Sequence, residues 1–181
     1  MILSDSELVE MLREPRTRRE GFAVLVKQYS EKLYWKVRRI VLSHEDANDV
    51  LQNVFIKVWS NLQNFQGKSS LSTWLYRIVV NESLDFLRKQ KQADKVSADE
   101  DVSVASRLMS DEYFDGDEVQ ARLQEAVARL PEVQRTVFNL KYFEEMKYSE
   151  MSQILNTSEG ALKASYHLAV KKITEYLHLF D

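Results

Sequence analysis

The chain contains no cysteine, which excludes disulfides, zinc–thiolate sites, iron–sulfur clusters and a cysteine nucleophile, and fits a reducing compartment. Only four glycines and two prolines occur in 181 residues. So few turn formers suit helices joined by short connections and argue against a hairpin-rich sheet. No apolar run reaches the roughly 18 residues of a membrane span, and the N-terminus, MILSDSELVE, lacks the basic start and apolar stretch of a signal peptide. The expected location is the cytoplasm. A glycine-rich phosphate loop is missing, His44, His167 and His178 are scattered, and the acidic triplet Asp115-Gly116-Asp117 has no partner carboxylates at metal-ligand spacing. For the acidic triplet, a solvated linker segment is the expectation rather than a metal site. What remains is ordinary globular material, 44% hydrophobic with a net charge of −3, enough at 21.2 kDa for one large domain or two small ones.

Apolar spacing supports an all-α fold. Phe22, Val26, Tyr29, Leu33, Val37 and Ile40 step by three or four, as do Ala47, Val50, Leu51, Val54, Phe55, Val58 and Leu62. Ser4-x-x-Glu7 forms a capping-box pattern that opens a first helix, ended before Pro15. A second helix is expected over about 17–41. Ser43-x-x-Asp46, a capping box with the shorter Asp, opens a third that runs to about 62. The polar segment NFQGKSS at 64–70 reads as a loop, followed by a helix over roughly 71–91 that ends in Arg88-Lys89-Gln90-Lys91.

Between residues 96 and 121 the composition changes to one basic residue against eight acids, a local net charge of −7. That reads as a solvated linker between two domains. The boundaries expected are 1–95, an acidic flexible linker at 96–117, and 118–181.

In the C-terminal part, Pro131 sits where a first helical residue would, and Val133, Val137 and Leu140 form a stripe. Ser149 can cap a short helix from Glu150 to Leu155, Asn156 tolerates a left-handed turn, and Ser158 can cap a further helix. The last helix would bury Leu162, Tyr166, Ala169 and Ile173 and leave Ser158, Glu159, Lys163, Ala164, His167 and Lys171 outside. This is a helix-turn-helix pattern whose second helix could enter a major groove. The same periodicity also fits an αα-hairpin in a bundle.

Two blocks carry a family resemblance. The first is DANDVLQNVFIKVWSNLQNFQGKSSLSTWLYRIVVNESLDFLRKQK, residues 46–91; the second is LPEVQRTVFNLKYFEEMKYSEMSQILNTSEGALKASYHLAVKKI, residues 130–173. In these motifs, in their order and in the acidic linker between them, the chain resembles a bacterial RNA polymerase sigma factor of the extracytoplasmic-function group, the minimal members of the primary-sigma family. The first block looks like sigma region two and the second like region four.

The resemblance implies a dissociable specificity subunit, not an enzyme, that directs core polymerase to promoters and assists their melting. It implies no cofactor and no small-molecule substrate. Implied partners are RNA polymerase core enzyme, promoter DNA and an anti-sigma factor, often membrane-anchored. Region two would dock on core polymerase through Asp46, Asp49, Gln52, Asn53, Ile56, Lys57 and Trp59. It would bind the minus-ten element through Asn64, Gln66, Lys68, Ser69, Ser70, Ser72, Thr73, Tyr76, Arg77, Arg88 and Lys89, with Tyr76 stacking and Arg77 meeting phosphate. Region four would bind the minus-thirty-five element through Ser158, Glu159, Lys163, Ala164, His167 and Lys171. The recognition helix commonly carries arginines where this chain has Ser165, Leu168 and Val170, so fewer phosphate contacts are implied.

Charge bears on the mechanism. DNA binding draws affinity from neutralised phosphates, and a chain at −3 has little net cation to offer, so the free protein is expected to bind promoters poorly. Its cations are local, with Arg77, Arg88, Lys89, Lys91 and Lys95 on or beyond the fourth helix and Lys163, Lys171 and Lys172 on the last. Two alternatives remain at this point: a helix-turn-helix regulator that does not recruit core polymerase directly, and an all-helical adaptor that binds only proteins.

Overall fold

The computed structural model describes residues 2–93 and 116–180, and no strand occurs among them. The chain divides into two compact units, Met1–Ala93 and Asp94–Asp181. Most of the expected acidic linker, including Asp115, lies outside the described residues, as does Lys95.

The first unit contains α1 (Asp5–Arg13), α2 (Arg18–Val41), α3 (His44–Asn61) and α4 (Leu71–Ala93), with a 3-10 turn at Leu62–Asn64. Ser4 forms the expected reciprocal box, accepting from the Glu7 N–H at 3.3 Å while the Glu7 carboxylate accepts from the Ser4 N–H at 2.8 Å. Gly21 is required where α1 crosses α2, because a Cβ there would stand 2.9 Å from the Met11 Cβ. Leu42 ends α2 in the left-handed region, its N–H bonded to the Arg38 carbonyl at 2.9 Å. Ser43 then caps α3 through the Asp46 N–H at 3.3 Å.

Apolar stripes from four helices meet in the core: Leu8 and Leu12, then Leu25, Tyr29, Leu33 and Val37, then Ala47, Val50, Val54 and Val58, then Leu71, Leu75, Val79 and Val80. Each large aliphatic side chain buried here contributes about 1.5–3 kcal/mol. Polar bonds tie α1 to this core. The Gln28 carboxamide both accepts from the Leu3 N–H (3.1 Å) and donates to its carbonyl (2.9 Å), while the Tyr29 hydroxyl donates to Asp5 at 2.5 Å.

The second unit contains α5 (Glu118–Ala128), α6 (Glu132–Phe138), a widened π turn (Asn139–Phe143), α7 (Tyr148–Leu155), α8 (Glu159–Leu177) and a terminal 3-10 turn. Asp117 is a helix cap, its carboxylate accepting from the Gln120 N–H at 2.8 Å. Ala126, Val127, Leu130, Phe138, Ala169 and Ile173 form the core, and the Phe138 ring stacks on Tyr166 with centroids 5.8 Å apart.

Three details differ from expectation. Pro131 is the cap and α6 begins at Glu132, because the proline backbone is still extended at ψ 146°. Val133 is 64% exposed, so the stripe of this segment is Val137, Phe138 and Leu140; Val133 lies in the first turn, where none of the described residues buries it. Ser149 does not cap α7. The helix starts at Tyr148, since the Glu150 carboxylate accepts from the Lys147 N–H at 3.2 Å. No described helix is long and apolar enough to cross a membrane.

Candidate nucleic-acid and partner interfaces

The outer face of α3 follows from its period. With Ala47, Val50, Val54 and Val58 turned into the core, Asp49, Gln52, Asn53, Ile56, Lys57 and Trp59 are exposed and Asp46 is half-buried. Ile56 is 58% exposed and Trp59 41%. Two large apolar side chains thus stand among polar ones on a helix whose core stripe is complete. Trp59 is also an edge-of-core aromatic, packed edge-on against the Phe22 ring with centroids 5.0 Å apart. Lys57 is engaged from within the unit, its ammonium paired with Glu82 of α4. That hydrogen bond to Glu82 pushes the Lys57 ammonium above its ordinary range. The carboxamide of Gln90 reaches Asp46 at 3.5 Å.

The loop before α4 exposes Asn64, Gln66, Lys68 and Ser70, with Ser69 half-buried. Gly67 holds φ +70°, a left-handed turn that only glycine adopts without strain. Ser70 accepts from the Thr73 N–H at 3.1 Å and donates to the Thr73 hydroxyl at 2.9 Å, so these two side chains cap and support the helix start. Ser72 is half-buried and donates to Asp5 at 3.4 Å.

Tyr76 is half-buried. The Lys36 ammonium sits over its ring, 3.9 Å from the centroid, so one π-face is occupied. Burial pushes the Tyr76 hydroxyl above its usual range. Burial, assisted by the like charges of Arg39 and Lys32, pulls the Lys36 ammonium down to about 8, leaving it largely cationic at neutral pH. The contact between Lys36 and Tyr76 is not legible in the sequence, although Lys32, Lys36 and Arg39 recur at helical spacing on α2. Arg77 is half-buried with its Nε turned inward and unbonded, leaving only the guanidinium end for a ligand. Arg88 is exposed and bonded to Asp85 at 2.7 Å, while Lys89 is exposed.

On α8 the two faces separate as expected. Leu162, Ala169 and Ile173 are buried and Tyr166 half-buried, whereas Ser158, Glu159, Lys163, Ala164, His167 and Lys171 are all exposed. Asn156 makes the left-handed turn at φ 50°, ψ 46°, and Ser158 caps α8 through the Ala161 N–H at 3.3 Å. Met151 of α7 and Leu162 of α8 are fully buried, the seam expected where two helices cross at a tight turn. The Lys163 ammonium lies 5.5 Å from the Tyr148 ring centroid, and that of Lys141 4.8 Å from the same ring. Lys171 has a loose pair with Glu175 at 3.9 Å, both side chains well exposed. Leu168 is 46% exposed, an apolar side chain on the outer side of α8.

Family models described as Sigma-70 region 2 and Sigma-70, region 4 match residues 25–93 and 120–173. The chain is 31% identical over 157 residues to the ECF RNA polymerase sigma factor SigW of Bacillus subtilis (strain 168), covering 82% of this chain and 84% of that protein. It is 29% identical over 182 residues to the RNA polymerase sigma-H factor of Pseudomonas aeruginosa, covering 96% and 93%. Among solved structures, the sigma factor RpoE in complex with the anti-sigma factor NepR from Bartonella quintana matches in fold, with a TM-score of 0.72 at 21% identity over 88% of this chain and 98% of that one.

Proposed function

Because the chain belongs to the sigma-70 family, as a non-enzymatic factor of its extracytoplasmic-function group that directs RNA polymerase to promoters, we propose that its two units divide that work between three surfaces. The wider sigma-70 family, rather than the primary sigma factors, is the correct frame. Residues 1–95 act as the region-two domain. The outer face of α3, from Asp46 to Trp59, docks on core polymerase, and the loop at 64–70 with the first turns of α4 holds the minus-ten strand. Residues 118–181 act as the region-four domain, with α8 in the major groove of the minus-thirty-five element. The segment at 96–117 is an acidic tether.

The observation that carries this division is the outer face of α3, where Ile56 and Trp59 stay in solvent beside Gln52 and Asn53 although the core stripe of the helix is complete. Such a face suits a protein partner, which a chain docking on polymerase requires. At the loop, exposed amide and hydroxyl groups at the N-terminus of α4 suit the edge of an unstacked base, and Lys68 and Arg77 suit the strand that carries it. Tyr76 acts through the face that Lys36 leaves open. Holding a base out of the stack favours strand separation, which is how the chain assists melting.

The protein acts in the cytoplasm, where its polymerase is. Its regulator is an anti-sigma factor, by analogy with the complex of RpoE with the anti-sigma factor NepR. Mixing the chain with bacterial core polymerase and a library of promoters tests the proposal. Promoter-specific transcripts from this mixture alone are expected; transcripts only upon addition of another sigma factor would refute it.

A further inference from the structure

We propose that Arg13, at the C-terminal end of α1, is a further DNA-contacting residue that meets a phosphate of the unpaired strand held at the loop 64–70. This rests on the assignment of that loop to the minus-ten element.

Arg13 is far from the loop in sequence and precedes residue 25, where the match to region two begins. In space it is at the centre of the loop. A Cβ built on Gly67, whose φ is +70°, would stand 2.8 Å from the Arg13 Nη2, so the guanidinium lies directly against the loop backbone. The segment 64–70 itself carries one cation, Lys68, and no acid. Its Asn, Gln and Ser side chains are neutral groups suited to base edges, so within the loop Lys68 alone can meet a phosphate, with Arg77 following within α4. A guanidinium beside them presents planar, paired donors to phosphate oxygens.

The end of α1 leaves this side chain free for that role. Thr17 donates to the Met11 carbonyl at 2.9 Å, and Arg18 donates to the carbonyls of Leu12 and Arg13 at 3.0 and 3.2 Å. The last carbonyls of the helix are thus satisfied without the Arg13 guanidinium. Among the described residues Arg13 has no ion pair, and it stands in a run, 13–19, with four arginines against one glutamate. The opposite end of α1 is fastened to the start of α4, since Asp5 accepts from both Tyr29 (2.5 Å) and Ser72 (3.4 Å). The two ends of α1 therefore bracket the loop, and Arg13 is delivered to it by a rigid helix of nine residues.

The test uses holoenzyme assembled with the full chain and either Arg13→Ala or Arg13→Lys, titrated over a salt series onto a promoter fragment with its minus-ten segment unpaired. Arg13→Ala should weaken binding roughly tenfold at moderate salt and make the salt slope shallower by about 0.7, the value of one single-strand phosphate. Arg13→Lys should recover the slope, because it keeps the charge, and core-polymerase affinity should not change. An unchanged slope in Arg13→Ala, or a loss fully accounted for by weaker core binding, would overturn the contact. An exchange of residues 64–70 for those of a relative runs in parallel. A shifted minus-ten preference together with an unchanged Arg13→Ala slope overturns Arg13 alone; an unshifted preference overturns the loop assignment and Arg13 with it.

Discussion

Replacing Gln52 by Ala together with Ile56 by Asp should separate polymerase docking from folding. Ile56 is 58% exposed in the free chain, so more than half of its apolar surface is still available to a partner. Full burial of an isoleucine gives about 1.5–3 kcal/mol, and the exposed share is therefore worth roughly 1–2 kcal/mol on docking. An aspartate at the same place removes that gain and adds a carboxylate that must be desolvated, so a loss of about 3 kcal/mol or more is expected. That is at least a hundredfold in Kd at about 1.4 kcal/mol per factor of ten. In the free protein both positions face solvent, and the cost is confined to a few tenths of a kcal/mol of helix propensity and an unfavourable charge near the C-terminus of α3. The assay is titration of labelled chain into core polymerase, with thermal unfolding of the same sample as the control. Unchanged affinity at an unchanged melting temperature would show that this face of α3 is not the docking surface.

Lys57→Ala should lower stability by about 1 kcal/mol, because it strips the ammonium from Glu82, whose side chain is only 12% exposed; chemical denaturation checks it, and unchanged stability would refute the pairing. Lys163→Ala in holoenzyme should make the promoter salt slope shallower by about 0.9, the value of one duplex phosphate, whereas the free chain should show no tight specific binding at all; tight binding by the free chain would refute the need for polymerase. Tyr29, pushed up to about 12 by burial and its bond to Asp5, favours its protonated form when folded, so its contribution is present below pH 10 and is lost as pH rises from about 10 to 12. Tyr29→Phe should cost about 1.5–3 kcal/mol at neutral pH and flatten that alkaline loss, measured by denaturation across the pH range.

Local chemistry was legible without a structure wherever one residue decides its own backbone. Ser4, Ser43 and Ser158 cap the helices they were expected to open, Asn156 takes the left-handed turn, and the outward set on α8 is the one its period dictates. Hydrophobic period also sorted α3 into a core side and an outer side, because that sorting needs only the 3.6-residue repeat. It could not tell that Val133, in the first turn of α6 and in step with Val137 and Leu140, is 64% exposed. The period describes position around a helix axis and not along it.

The rest was decided by packing across long stretches of chain. Lys57 is neutralised by Glu82, Lys36 covers Tyr76, and Arg13 reaches Gly67, each pair joining residues on elements well apart in sequence. A sequence determines which side chains can carry charge, accept a bond or stack, since those are properties of the residue alone. Which cation remains available to DNA and which is spent on a neighbouring carboxylate or ring depends on distances of a few ångströms between helices, and these exist only once the core stripes of α1 to α4 have closed on one another.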